Sequence, residues 1–246
     1  MTVRNIKLTI TYDGSGYSGW QTQRGKRTIQ EELNNAIGNL TGHKVTVHGA
    51  SRTDARVSAL GQVGLVQIDS PIPAKNLAKA INDRLPPDIA VTEAVEVPNG
   101  FDVIGDAKSK LYRYTIFTGP VRPVLDTRRC WHLPHPLDIA AMSRAATMLV
   151  GRKDFKSFAA AKDRRESSVR TILRCEVTRD GNWVHVDVEG DGFLYYMVRN
   201  IVGTLVEVGV GRWKPERIGE ILEARDRTAA GPTAPAEGLC LMWIRY

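Results

Sequence analysis

From residue 8 to residue 97 the apolar periodicity runs strand, helix, strand, strand, helix, strand, and from residue 111 to residue 246 much the same order returns. This repetition restricts the fold class more than any single motif. Two β-α-β-β-α-β units in tandem predict an α+β protein built from two ferredoxin-like halves with joined antiparallel sheets, residues 1–105 and 106–246. The boundary is expected in the linker that opens with Pro98-Asn99-Gly100 and ends at Gly105. A cleft between two such halves is a common place for a binding site.

Local signals support each element. In the first half a strand over residues 8–12 ends at the turn cluster Asp13-Gly14-Ser15-Gly16. Thr28 then reads as a helix N-cap with Glu31 completing a capping box, and Gly42 as the stop. Val45, Val47 and Gly49-Ala50 read as a strand, and Val63, Leu65, Val66 and Ile68 as the next. A helix through Leu77, Ala80, Ile81 and Leu85 is ended by Pro86-Pro87, and a strand follows over residues 89–97. The second half opens with a strand over 111–117, then a helix capped by Asp138, running through Met142 and Leu149 and followed by Gly151. Strands over 171–179 and 184–188 meet at Asp180-Gly181-Asn182. A long helix over 193–208, a short one over 216–223 and a closing strand over 239–246 complete the pattern.

The net charge of +7 is unevenly placed. Residues 1–105 hold 11 Lys/Arg against 10 Asp/Glu, and residues 106–246 hold 23 against 17. Eight of those basic residues, Arg164 and Arg165 among them, fall between positions 151 and 175 beside only three acidic ones. Such a run attracts polyanions, of which phosphate backbones are the commonest, and it equally describes a solvated loop. Phe155 and Phe158 interleave with it, as a surface for single-stranded nucleic acid would, or as anchors of a loop on the core. No apolar run approaches the roughly 18 residues of a membrane span, and the first twenty residues lack a signal-peptide core, so the expected address is the cytoplasm and no membrane is a partner. Cys130, Cys175 and Cys240 are too far apart for a metal site and read as buried free thiols.

Chemistry has few places to reside. His43, His48, His132, His135 and His185 lack zinc-ligand spacing, and neither a P-loop nor a Gly-x-Ser-x-Gly elbow is present. Gly14, Ser15, Gly16, Gly19 and Trp20 form a close-approach loop without the spacing of a phosphate cradle. Arg52-Thr53-Asp54 lies on the connection between two strands, where scaffolds present reactive groups, although the tripeptide alone fits an ordinary Asx-turn. The 193–206 stretch is apolar on nearly every side with Arg199 as its one charge, so a buried guanidinium there demands an anion. That anion is a structural carboxylate, Asp54, or a group on a substrate. Tyr112 shares a strand face with Tyr114, and its ring either stacks on an unpaired base, worth ~1–3 kcal/mol, or fills the core.

The combination resembles one family, the TruA-type tRNA pseudouridine synthases. The likeness runs through residues 12–21, Thr28-Ile29-Gln30-Glu31-Glu32-Leu33, Arg52-Thr53-Asp54-Ala55, Tyr112-Arg113-Tyr114, Phe193-Leu194 with Met197-Val198-Arg199, and residues 231–239. It implies an isomerase that converts uridine to pseudouridine at positions 38, 39 and 40 of the tRNA anticodon stem-loop, with no cofactor and no metal. By the same resemblance Asp54 is the nucleophile, Arg52 helps extrude the target nucleotide, Tyr112 contacts the flipped base and Arg199 pairs with Asp54. A homodimer and a central basic cleft belong to that expectation, and extrusion costs a few kcal/mol that stacking and phosphate contacts offset. A binding protein on the same scaffold is the rival reading, but it has no use for Asp54.

Three positions near the aspartate depart from the family pattern. Ser51 and Arg56 stand where glycine is expected and Ser58 where histidine is common. Glycine marks positive φ or close backbone approach, so these positions predict a different loop or additional RNA contacts.

Overall fold

The computed structural model describes residues 3–163 and 165–246. The chain divides into two compact units, one running to Lys108 and taking in Leu241–Tyr246, the other Ser109–Cys240.

The first unit is organised by β1 (Arg4–Tyr12), whose Ile6, Leu8, Ile10 and Tyr12 alternate onto one face and are at most 4% exposed. Its other strands are β2 (His48–Gly49), β3 (Ser58–Ile68) and β4 (Ile89–Val97). The order is β4-β1-β3, antiparallel throughout, with β2 paired to β3. Both pairings of β1 shift register near Ile10, so the strand is already bent where it reaches the Asp13 turn. Helices α1 (Ile29–Thr41) and α2 (Ala74–Asn82) bury Ile29, Leu33, Ile37, Leu77 and Ile81. Helix α2 packs on β4 and against α1.

Several local expectations need correction. Helix α1 starts after Thr28 and ends at Gly42, whose φ is 78°, but no capping box forms and the Thr28 hydroxyl makes no hydrogen bond. Backbone carbonyls compete at this end: Ile29 N–H donates to Gly19 O, and Gln30 N–H, one of the donors an N-cap serves, to Trp20 O. The strand expected at 45–50 shrinks to His48–Gly49, because Val47 N–H is taken by Asn34 Oδ1 and Val47 O by Gln30 Nε2. Helix α2 stops at Asn82, ahead of Leu85, since Asn82 turns its amide onto both backbone groups of Val91 in β4.

The second unit contains β5 (Ser109–Phe117), β6 (Trp131–His132), α3 (Ile139–Thr147), β7 (Gly151–Asp154), β8 (Val169–Asp180), β9 (Trp183–Gly190), α4 (Met197–Gly209) and α5 (Arg217–Ala224). Its sheet runs β5-β9-β8-β7, antiparallel, with β6 added to β5 in parallel. Helix α3 packs on β8 and α4, and every residue of α4 except Arg199 is buried. Asp138 caps α3 by accepting from Ala141 N–H, but the helix ends at Thr147 and Gly151 instead opens β7. Helix α4 begins four residues later than its apolar run, because Tyr195 N–H is bonded to Asp163 Oδ2 and Tyr195 O to Ala160 N–H. Tyr196 then turns the chain with φ 63° before the helix can start. The chain closes as β10 (Leu239–Arg245), with its Leu241–Arg245 part beside β3 in the first unit. There Ile244 and Tyr246 cover a small second core of Ala50, Val63 and Val103.

Candidate active site

Asp54 sits on the irregular segment between β2 and β3, half-buried, with Arg52 and Arg56 exposed on either side. The segment is held through its backbone. Trp20 N–H donates to Thr53 O at 3.1 Å and Arg56 N–H to Tyr17 O at 3.1 Å, so residues 17–20 and 53–56 are tied together on both sides of Asp54. Tyr12 Oη and Thr53 Oγ1 share a buried hydrogen bond of 2.8 Å. Gly19 has φ +92°, and a β-carbon there would fall 2.7 Å from Thr53 O. The Gly14 to Trp20 loop is therefore a clamp that joins the start of α1 to the Asp54 segment.

A second restraint was hidden in β3. Gln62 is inside an apolar strand and fully buried; its Nε2 donates to Ser51 O at 2.7 Å while its Oε1 accepts from Ser51 N–H at 3.3 Å and Val63 N–H at 3.1 Å. A glutamine at an inward position between Ala59 and Val63 is the signal that points to it. Gln30 acts similarly on the clamp, accepting from Thr22 N–H and Gln21 Nε2.

The three departures from the family pattern have separate explanations. Arg56 adopts φ 67°, the left-handed conformation that glycine would take freely. Ser51 has no such φ, and Gln62 fixes its backbone instead. Ser58 Oγ accepts from Gly14 N–H at 3.0 Å, which adds another tie between the clamp and the segment after Asp54.

Arg52 forms no hydrogen bond or ion pair among the described residues and its side chain faces solvent. On the second unit, Tyr112 lies on β5 opposite Val188, 6% exposed, with its ring edge-on to Phe193 at 5.3 Å between centroids. Tyr114 points to the same face, fully buried, and donates to Pro235 O. Arg113 points to the opposite face and makes a two-pronged pair with Asp187 at 2.7 and 2.8 Å. Arg199, on the first turn of α4, is the half-buried exception in that helix. Its Nε donates to Ala234 O at 2.8 Å and its guanidinium lies 4.6 Å over the Tyr196 ring. Asp54 and Arg52 thus belong to one unit, and Tyr112 and Arg199 to the other.

The start of the basic run is ordinary structure. Residues 151–154 form β7, a strand that the run of charges concealed, and Phe155 and Phe158 are fully buried 6.1 Å apart. They anchor the segment on the core, so a base-stacking role for them is excluded by burial. Arg164 lies outside the described residues. Cys130 and Cys175 are buried, but Cys240 is only half-buried, against the expectation for all three. Burial pushes the Cys130 thiol up to about 11 and the Cys175 thiol up to about 12. Neither is an active nucleophile at neutral pH.

With this geometry in hand, comparison with known proteins is specific. The family model described as tRNA pseudouridine synthase matches residues 8–104 and 145–246. The tRNA pseudouridine synthase A of Acetivibrio thermocellus is 45% identical over 244 residues, covering 99% of this chain and 100% of that protein. The protein of the same name from Moorella thermoacetica is 47% identical over 243 residues, covering 98% and 99%. That of a Thermoanaerobacter species is 41% identical over 244 residues, covering 99% and 100%. The chain belongs to the tRNA pseudouridine synthase family, a family of isomerases.

Proposed function

We propose that this chain isomerises uridines 38, 39 and 40 in the anticodon stem-loop of tRNA, with Asp54 as the nucleophile. The observation that carries the reading is the double tether of the Asp54 segment, Trp20 to Thr53 and Tyr17 to Arg56, on a loop that would otherwise be free to wander. Presenting one carboxylate in a fixed place is what a nucleophile requires. Asp54 attacks the nucleotide as the glycosidic bond breaks, and the released base turns and rejoins through carbon. No electron acceptor is needed, because the product is an isomer of the substrate.

Three further residues serve the target nucleotide. Arg52, exposed beside Asp54, helps extrude it; Tyr112 contacts the flipped base; Arg199 pairs with Asp54 and keeps it ionised. The support for Arg52 is its solvent-facing guanidinium, and for Arg199 its position as the half-buried cation of an otherwise buried helix. In this reading residues 1–105 and 106–246 are two ferredoxin-like halves with joined sheets around a basic cleft, and the chain works as a cytoplasmic homodimer. The order β4-β1-β3 with β2 on β3 supports the first half, and β5-β9-β8 the second.

Nucleotide-resolution pseudouridine mapping of tRNAs incubated with the purified protein tests the assignment. New pseudouridines confined to positions 38–40 support it. Modification at other uridines overturns the choice of site, and none at all overturns the function.

A further inference from the structure

Four side chains converge on the start of the connection between β9 and α4. Lys110 pairs across the sheet with Gly190, where that connection begins. It projects from β5 on the same face as Tyr112, two residues away, and is 8% exposed. The Phe193 ring closes over Gly190, 3.2 Å from where a β-carbon would lie, and the Tyr112 ring meets that same phenyl edge-on. Arg165 Nη1 donates to Phe193 O at 2.8 Å, and Arg170 Nε lies 3.8 Å from the β-carbon position of Gly192. Three cations are therefore gathered around Gly190 to Phe193, beside the ring assigned to the target base.

Like charges gathered on one segment repel, and here the carboxylates of Asp163 and Asp191 offset part of that repulsion. Asp163 organises the group: its Oδ1 accepts from Arg165 N–H and its Oδ2 from Tyr195 N–H, with Arg165 Nη1 3.4 Å away. Asp191 is engaged with Thr171 N–H at 3.0 Å. Arg170 spends Nη1 on the carbonyls of Ser167 and Val169. Burial, with the Arg165 charge adding, holds the Lys110 ammonium below its usual range, and the same two causes lower Arg170. An anion received between these groups reverses the repulsion, and the exposed Arg165 leaves one side open to solvent.

We propose that Lys110, Arg165 and Arg170 form a binding site for one backbone phosphate of the RNA, next to the nucleotide whose base meets Tyr112. The inference rests on the functional reading above and adds to it a site that fixes the register of the strand. An extruded base has to be held by its flanking phosphates, since contact with one tyrosine does not fix position along the strand.

The test uses full-length protein and tRNAs that each carry a single neutral methylphosphonate in the anticodon stem-loop. With wild-type protein, one substitution adjoining the modified uridine is expected to weaken binding most. In Lys110→Met, which keeps the aliphatic stem, and in Arg165→Gln, which alters an exposed side chain, that sensitivity is lost. Each variant also shows a log Kd against log salt slope shallower by about 0.7–0.9, the value for one phosphate contact. Lys110→Arg, which keeps the charge, restores both. An interference profile and salt slope unchanged in Lys110→Met and Arg165→Gln overturn the proposal. Wild-type isomerisation is scored in parallel, so failure of the phosphate site is distinguished from failure of the functional reading.

Discussion

Gly19→Ala tests the clamp that presents Asp54. Gly19 has φ +92°, and the added methyl would meet Thr53 O at 2.7 Å, Ala55 N at 3.1 Å and Asp54 C at 3.1 Å. All three are backbone atoms, so no side chain can rotate away. A left-handed backbone costs a residue with a β-carbon roughly 1–2 kcal/mol. Moving Thr53 aside also loses the Trp20 N–H to Thr53 O bond, worth about 0.5–1.5 kcal/mol. Native stability should therefore fall by about 1.5–3.5 kcal/mol. The effect on turnover should be larger than on tRNA affinity, because an ångström of misplacement at a reacting group costs on the order of 100-fold. Urea unfolding and single-turnover pseudouridine formation measure the two. Gly25→Ala is the control, with φ +70° and nothing within 4 Å, so it carries the conformational cost alone. If Gly19→Ala is no less stable than Gly25→Ala and reacts at the wild-type rate, the clamp does not position Asp54.

Three other outcomes are expected. Asn200→Ala should destabilise the second unit by about 1–3 kcal/mol in urea titration, since it leaves Phe158 O without its buried donor and takes Asn200 Oδ1 from Arg227 and Thr233, which keep their bond to each other. His185, bonded to Thr115 Oγ1, is held below its ordinary 6.5 by burial and then by Arg113. The unfolded chain binds that proton first, so stability falls as pH drops through 6.5, and His185→Gln flattens the decline in pH-dependent unfolding. Native alkylation followed by mass spectrometry should leave Cys130 and Cys175 unmodified at pH 8, because their thiols ionise near 11 and 12.

What the letters reveal and conceal follows the range of the interactions. The inward face of β1, the Gly42 stop, the Asp138 cap and the Asp180 to Trp183 hairpin are local, and each is legible from neighbouring residues. Thr28 misleads because the carbonyls that replace its cap come from Gly19 and Trp20, on the far side of a loop. Strand β7 is concealed because an edge strand needs no apolar alternation, and residues 151–154 carry two cations. The start of α4 is set by Asp163, some thirty residues away, so periodicity places it too early. The candidates Asp54, Arg52, Tyr112 and Arg199 and the glycine-rich loop over 14–20 are legible in the sequence, whereas the ties of that loop to Thr53 and Arg56 and of Gln62 to Ser51 emerge only when distant segments meet. Arg56 is the intermediate case: glycine is expected there, and the left-handed φ of 67° gives the physical reason.

The central claim is that the carboxylate of Asp54 does chemistry. Asp54→Asn changes one oxygen to an amide and preserves shape, so binding and folding should persist. The direct measurement is the rate of pseudouridine formation at positions 38–40 in tRNA saturated with Asp54→Asn protein. The account predicts no detectable product with tRNA affinity close to wild type. Product formed at the wild-type rate contradicts it and moves the nucleophile elsewhere.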